Sequence, residues 1–192
     1  MTENPWTTLS SSHKYGNPWF AVREDQVIRP DGKRGIYGVV SAGRLAIGIL
    51  PLWEDGSLTL VGQYRYPLQE YSWEIPEGGG DFAIDPLESA KRELREETGI
   101  SARTWEYLGR LHTSNCFVDE LCHLFLATEL TQGAAEPGPE EILQTRRLPF
   151  HEAVAMAQDG RITDSISIVG IFRLLLRELS RRGERSQGTR AE

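Results

Sequence analysis

The chain has 192 residues, a length that suits one moderate domain or a domain with a small extra lobe. Hydrophobic residues make up 39% and charged residues 26%, which is ordinary for a soluble globular protein. The formal net charge of −7 argues against binding to nucleic acid or to a membrane surface. A small anionic substrate is compatible with this charge if a cation or local arginines neutralise it.

The cysteine count and the N-terminus point to a cytoplasmic protein. Two cysteines, Cys116 and Cys122, are too few for a secreted disulfide scaffold. The first residues lack the basic region and apolar run of a signal peptide. The longest apolar stretch, Leu45 to Trp53, is interrupted by a glycine and a proline and is too short to span a bilayer.

The first 43 residues are predicted to form a loose lead-in followed by a small antiparallel sheet. Residues 1–14 show no regular pattern, whereas β-type runs occupy Tyr15 to about Ser41. Pro30-Asp31-Gly32 separates these runs with a turn, because proline presets φ and glycine accepts positive φ.

Residues 44–182 are predicted to form the main domain, and the polar tail 183–192 is expected to be disordered. Strands mixed with helices in this order indicate α+β, or an α/β/α sandwich. Three helices are expected, after Asp85, over residues 150–159 and from about Asp164 to Arg181. The predicted strands lie in LAIGILPLW, SLTLVGQYRY, TWEYLGRLH, ELCHLFLATEL and ILQTRRL.

The first of these helices has clear capping signals at both ends. Asp85 can act as N-cap, Pro86 fits the first helical position and Glu88 occupies the capping-box position. Gly99 can supply the left-handed residue that ends the helix. An apolar stripe at helical spacing should face the core: Leu87, Ala90 and Leu94.

The last two turns of this helix carry Glu93, Glu96 and Glu97 on one face. Carboxylates repel one another there and meet the negative end of the helix dipole, although Arg92 offsets part of the charge. Such a run can be a solvated helix face. Here we favour a site for a hard divalent cation, because the acids oppose the helix dipole although both ends of the helix are well capped. They also follow Gly78–Gly80, which we interpret as a loop that lets the backbone approach a ligand closely.

These residues resemble a known motif. The stretch from Gly78 to Ile100 is similar to the Nudix box, whose pattern is G-x5-E-x7-R-E-U-x-E-E-x-G-U with U aliphatic. Arg92–Ile100 matches every specified position of the second half. The departure is Ile84, which stands where the pattern has its first glutamate.

The resemblance implies an α/β/α Nudix sandwich with a mixed sheet, and hydrolysis of a nucleoside diphosphate linked to another group. It implies that Glu93, Glu96 and Glu97 bind Mg²⁺ (or Mn²⁺) and that Arg92 orients an acid. It also implies that the backbone carbonyl of Glu77 binds a metal ion.

The resemblance also implies that an acid on the 131–141 loop assists the catalytic water or a metal ion. The expected residue is Glu140, with Glu141 and Glu136 as alternatives. A solvated acidic loop is the other interpretation of these three glutamates.

Three further segments resemble the ADP-ribose pyrophosphatase group. Gln63–Pro67 and Trp73–Gly78 are similar to its QYR…E-x-P-A-G segment. Thr113–Glu120 is similar to its S-P-G-F-x-x-E segment, with Asn115 and Cys116 in place of proline and glycine.

Four residues follow as candidate substrate contacts. Arg65 would bind phosphate or ribose, or else form a surface ion pair. Glu74 and Glu120 would support the site, although an edge-strand role fits Glu74 equally. Trp19 could stack on a base, with core packing as the alternative.

The sequence is thus identified as a member of the Nudix family, with ADP-ribose as the favoured substrate and AMP and ribose 5-phosphate as products. GDP-mannose, CDP-alcohols, dinucleoside polyphosphates and a non-catalytic nucleotide sensor are the alternatives. The resemblance further implies a homodimer built through the N-terminal sheet.

Overall fold

The computed structural model describes residues 3–136, 138 and 142–188, which form ten strands and three helices. The strands make three sheets, in the orders β1-β2-β3, β10-β5-β6 and β7-β4-β9-β8. The elements are β1 (Thr7–Gly16), β2 (Phe20–Ile28), β3 (Arg34–Ala42), β4 (Leu45–Pro51), β5 (Ser57–Arg65), β6 (Glu70–Glu74), β7 (Glu77–Gly80), α1 (Pro86–Thr98), β8 (Ile100–His112), β9 (Leu121–Gln132), β10 (Gln144–Pro149), α2 (Phe150–Asp159) and α3 (Ser165–Gly188).

The N-terminal sheet is antiparallel, as expected, but it begins earlier than the sequence suggests. β1 starts at Thr7, so the predicted lead-in over residues 1–14 is wrong for most of its length. Every residue of β1 is exposed, which explains why its sequence shows no alternation of apolar and polar residues. The strand is held by backbone pairing with β2.

The mixed sheet is the centre of the main domain. β4 pairs in parallel with β9, and the other pairs in this sheet are antiparallel. Alternate residues of β4 and β9 face opposite sides, because side chains in a strand alternate with period two. One face packs on α1, and the other packs on α2 and α3. The predicted α/β/α arrangement with a mixed sheet is therefore confirmed.

The C-terminal helix is longer than predicted. α3 continues to Gly188, beyond the expected end at Arg181 and into the tail predicted to be disordered. The segment after Arg181 contains two arginines, a glutamate and a glutamine, which are good helix formers, and Gly183 does not stop the helix. Over the described residues, none of the three helices combines the length and apolarity needed to cross a membrane.

The N-terminal sheet joins the main domain along a short seam, formed by Val40 and Ala42 of β3 and by Phe117 and Asp119 of the β8–β9 loop. The Val40 amide donates to the Phe117 carbonyl at 2.8 Å, and the Asp119 amide donates to the Val40 carbonyl at 3.2 Å. The Ala42 amide donates to Asp119 Oδ1 at 2.9 Å. The seam places the end of β3 beside the edge of the mixed sheet.

Candidate active site

Local sequence signals determine where helix α1 begins and ends and which of its faces is buried. Asp85 Oδ1 accepts from the Leu87 amide at 2.8 Å, Pro86 is the first helical residue, and Gly99 ends the helix at φ 72°. Ala90 and Leu94 are fully buried against the mixed sheet. The predicted N-cap, C-cap and core stripe are confirmed, and they fix which face of α1 carries the acids, whereas Glu88 accepts from Lys91 at 2.7 Å.

That face lies against β7. Glu93 is 8% and Glu97 6% exposed, whereas Glu96 is half-buried. Arg92 donates to Glu93 Oε1 at 2.6 Å, to Glu96 Oε2 at 2.7 Å and to the Gly79 carbonyl at 2.8 Å. Arg92 therefore holds two acids of the run together and ties them to the neighbouring strand, as a charge-assisted network.

The three glycines before α1 form strand β7 rather than the loop that the sequence suggested. β7 pairs with the start of β4, and its lack of side chains hides the period-two signal of a strand. The reason for Gly78 is steric: a Cβ there would lie 2.0 Å from Glu93 Cδ. Glycine at this position leaves the space that the Glu93 carboxylate occupies.

Glu77 connects β7 to two helices. Its amide donates to Glu97 Oε2 at 3.1 Å, and its Oε1 accepts from the Ser167 hydroxyl at 2.9 Å. Burial, together with the negative charges of Asp164 and Glu74, raises the pKa of Glu77 well above its usual range, and the Ser167 hydrogen bond partly opposes this. The residue predicted to bind a metal through its carbonyl is thus fixed from both α1 and α3.

The donor set suits a hard divalent cation. Carboxylate and carbonyl oxygens are the ligands of Mg²⁺, and the glutamates of α1 face a strand whose glycine makes room for one of them. Among the described residues, no three acidic, histidine or cysteine side chains already converge as a metal site. In their present positions Glu93 and Glu96 hold Arg92, and Glu97 holds the Glu77 amide.

A cavity of about 470 Å³ opens beside Gly78. It brings together four residues that the sequence predicted separately: Trp19, Arg65, Glu77 and Glu120. Trp19 is 69% exposed, so the alternative of core packing is wrong for it. Glu120 accepts from the Thr113 hydroxyl at 2.8 Å.

Arg65 and Glu74 form one unit rather than two separate contacts. Arg65 Nε lies 2.9 and 3.1 Å from the two carboxylate oxygens of Glu74, and Arg65 Nη2 also donates to Oε2. Glu74 is 3% exposed. Most of the positive charge that Arg65 brings to the cavity is therefore balanced by its own buried partner.

Ile84, the residue that departs from the box, lies in the turn before α1 and is 50% exposed. It lines a second cavity of about 400 Å³, together with Gly79, Asp81, Arg92 and others. In this cavity Arg92 keeps its partners on α1 and β7, so the box arginine is held in place with an isoleucine at position 84.

The acidic loop reaches the same end of α1. The Glu136 amide donates to the Glu96 carbonyl at 2.9 Å, and the Gly133 amide donates to the Gly99 carbonyl at 2.8 Å. Of the three candidate loop acids, Glu140 and Glu141 lie outside the described residues, and Glu136 is exposed.

Sequence reasoning missed three residues at the site. Ser167 and Asp164 lie at the start of α3, where the Ser167 amide donates to Asp164 Oδ2 at 2.6 Å. The sequence Thr163-Asp164-Ser165 is an N-cap signal that could have located them near a helix start, though not near Glu77. Arg44 lines both cavities, and no local pattern marks it.

Two protein-family models and several known proteins match most of this chain. The NUDIX domain model matches residues 43–166, and the model of the nucleoside diphosphate sugar hydrolase N-terminal domain matches residues 6–40. An ADP-ribose pyrophosphatase of Mycobacterium tuberculosis is 36% identical over 90% of this chain and 84% of its own. An ADP-ribose pyrophosphatase of Bacillus subtilis is 30% identical over 80% of this chain and 84% of its own.

A solved structure supports the fold. The crystal structure of an ADP compounds hydrolase superposes with a TM-score of 0.81 at 22% identity, covering 98% of each chain. The two family models cover the N-terminal sheet and most of the main domain in succession. The chain belongs to the Nudix family and is a pyrophosphohydrolase.

Proposed function

We propose that the protein hydrolyses the diphosphate bond of nucleoside diphosphate sugars with Mg²⁺, and that ADP-ribose is its favoured substrate. The products would be AMP and ribose 5-phosphate. The observation that carries the proposal is the complete acid set of α1, packed on a glycine strand beside the 470 Å³ cavity. The similarity to two ADP-ribose pyrophosphatases over most of the chain supports this substrate.

Each residue of the site has a distinct part in this proposal. Glu93, Glu96, Glu97 and the Glu77 carbonyl would hold Mg²⁺, or Mn²⁺ in its place. When bound, such a cation neutralises the diphosphate, activates water and stabilises the leaving oxygen. Arg92 sets the orientation of the carboxylates through its hydrogen bonds to two of them.

The cavity residues would position the substrate. Trp19 presents an exposed ring on which a base can stack, and Arg65 and Glu120 lie on the same wall. Glu74 keeps the Arg65 guanidinium oriented. An acid of the 131–141 loop, Glu140 or else Glu136 or Glu141, would assist the attacking water.

The competing substrates differ from ADP-ribose in the base, in the group beyond the diphosphate or in the number of phosphates. Asn115 and Cys116 lie in the loop that forms the seam and leads to Glu120 of the cavity, and they are where this loop departs from the segment that it resembles. GDP-mannose, CDP-alcohols and dinucleoside polyphosphates are therefore tested beside ADP-ribose. A nucleotide sensor without turnover is the remaining alternative, and the intact acid set argues against it.

A substrate panel with Mg²⁺ tests the proposal. We expect AMP to be released from ADP-ribose faster than a nucleoside monophosphate is released from the other compounds. Glu97→Gln should lower turnover by orders of magnitude while the protein stays folded, whereas Glu152→Gln, a surface helix residue paired with Arg146, should not. Absence of turnover on every compound would refute the hydrolase, and a preference for GDP-mannose would change only the substrate.

We further propose a cytoplasmic homodimer. Both cysteines are free, which supports a reducing compartment. β1 is exposed along its whole length, and the N-terminal sheet exposes apolar side chains that a partner could cover: Leu9, Tyr15, Phe20 and Ile36. Light scattering at micromolar concentration should give a dimeric mass, and a monomeric mass would contradict the proposal.

A further inference from the structure

Three arginines line the two cavities that flank Gly79: Arg44, Arg65 and Arg92. Two of them already hold carboxylates. Arg65 is paired with Glu74, and Arg92 is paired with Glu93 and Glu96. Each of these guanidiniums therefore contributes little net positive charge to an incoming anion.

Arg44 differs from the other two. Within the described residues, its guanidinium makes no hydrogen bond and no ion pair, and the residue is exposed. It lies in the short connection between β3 and β4 and contributes to both cavities. A guanidinium offers several donors in a planar fork that matches the oxygens of a phosphate.

The position of Arg44 is set by its neighbours. A Cβ on Gly79 would lie 3.0 Å from Arg44 Cδ, so the aliphatic stem runs directly over the glycine strand. The preceding residue, Gly43, donates its amide to the Trp19 carbonyl at 3.0 Å. The turn that carries Arg44 is thus tied to the residue proposed to stack on the base, and its side chain lies over Gly79 between the two cavities.

The negative charge around the cavity explains how the Arg44 guanidinium would help an anion to bind. Glu77 and Glu120 line the same wall, and the carboxylates of α1 lie behind Gly78 and Gly79. A diphosphate brings further negative charge to an acidic surface, so a cation without a protein partner lowers the electrostatic cost of binding. Arg44 is the arginine of these cavities that has no carboxylate partner among the described residues.

We propose that Arg44 is a substrate-binding residue that donates hydrogen bonds to the phosphate oxygens of the substrate. This inference rests on the proposed function of the site, since it assigns the residue to the diphosphate of that substrate. Arg44 determines affinity, and the acids of α1 determine turnover.

The test compares Arg44→Ala, Arg44→Lys and Arg110→Ala with the unmodified protein. Arg110 is an exposed arginine of β8 outside both cavities, so its variant loses the same charge elsewhere. Binding of the α,β-methylene analogue of ADP-ribose and of inorganic pyrophosphate is measured by calorimetry with Mg²⁺. Thermal unfolding of each variant checks that it is folded, since Arg44 makes no hydrogen bond or ion pair among the described residues and its stem contacts β7 at Gly79.

We expect Arg44→Ala to weaken binding of both probes by about tenfold or more, the loss typical of a charge-assisted hydrogen bond. Arg44→Lys should lose less, and Arg110→Ala should match the unmodified protein. With substrate, Arg44→Ala should raise KM more than it lowers kcat. The salt dependence of binding should also become shallower when Arg44 is replaced.

Equal affinities of Arg44→Ala and Arg110→Ala for both probes would overturn the inference and leave the hydrolase proposal intact. If the unmodified protein hydrolyses no nucleotide but binds pyrophosphate, and Arg44→Ala binds it more weakly, the phosphate contact stands and the proposed substrate fails. If the unmodified protein binds neither probe, Arg44 has no phosphate to hold and the inference is refuted.

Discussion

Ser167 offers the sharpest test of how the site is held in place. Its hydroxyl accepts from the Ile75 amide and donates to Glu77 Oε1, both at 2.9 Å, and the residue is fully buried. Ser167→Ala keeps the Cβ and so leaves almost no cavity. It removes both hydrogen bonds at once and leaves the buried Ile75 amide and the partly buried Glu77 carboxyl each short of one partner.

The expected loss in the free energy of unfolding comes from those two unsatisfied groups. Leaving one buried polar group unsatisfied costs about 1–3 kcal/mol, so the pair should lower the free energy of unfolding by about 3 kcal/mol. For a chain of this size each kcal/mol lowers the melting temperature by about 2–4 °C. We therefore expect Ser167→Ala to melt about 6–12 °C below the unmodified protein.

Thermal unfolding of the metal-free protein, followed by circular dichroism, measures this difference. The matched control is Ser165→Ala, which removes an exposed hydroxyl two residues earlier in the same helix. The control should stay within about 2 °C of the unmodified protein, since surface changes of this kind cost about 0.5 kcal/mol or less. A Ser167→Ala protein that melts with its control would show that these buried bonds contribute nothing.

Two further predictions concern other parts of the chain. Gly78→Ala should abolish most activity, because its Cβ would overlap the Glu93 carboxylate. The control Gly38→Ala should keep its activity, since there is open space around Gly38. Equal activities of the two variants in a kinetic assay would refute the packing argument. The hydrogen bond from Arg177 lowers the pKa of Glu106 in the folded protein. The pair therefore stabilises the fold at pH values above the ordinary glutamate pKa of about 4.3, and this stabilisation is lost as the pH falls through the lowered pKa of Glu106. Glu106→Gln should therefore make stability less pH-dependent below about pH 5, and an unchanged acid titration, followed by denaturant unfolding, would contradict the assignment.

Local signals in the sequence predicted the parts of the fold that local physics determines. The caps of α1 at Asp85 and Gly99 and the end of α2 at Gly160 rest on backbone geometry within one turn, and they are found where the sequence places them. β1 was missed because a strand exposed on both faces needs no apolar alternation. β7 was read as a loop because three glycines carry no side-chain pattern, and only Glu93 shows why they are needed.

The site could be predicted only in part, for a similar reason. The acids of α1 lie within five residues of one another, so their common face follows from helix geometry. Ser167 and Glu77 are 90 residues apart, and the pairing of Arg65 with Glu74 depends on a strand register. Arg44 has no motif around it, and its position depends on the contact of its side chain with Gly79, which lies 35 residues away on strand β7.

The seam between the sheets separates the residues proposed to hold the metal ion from the residues proposed to bind the nucleotide. The acids proposed to bind the metal ion and the glycines that face them belong to α1 and β7, which pack against each other in the main domain. The walls on which Trp19 and Glu120 lie are attached through the β3 end and the β8–β9 loop. Under the proposed function, substitutions along the seam would change the shape of the nucleotide pocket and leave the acids of α1 in place, so substrate preference would change while the metal-binding acids are kept.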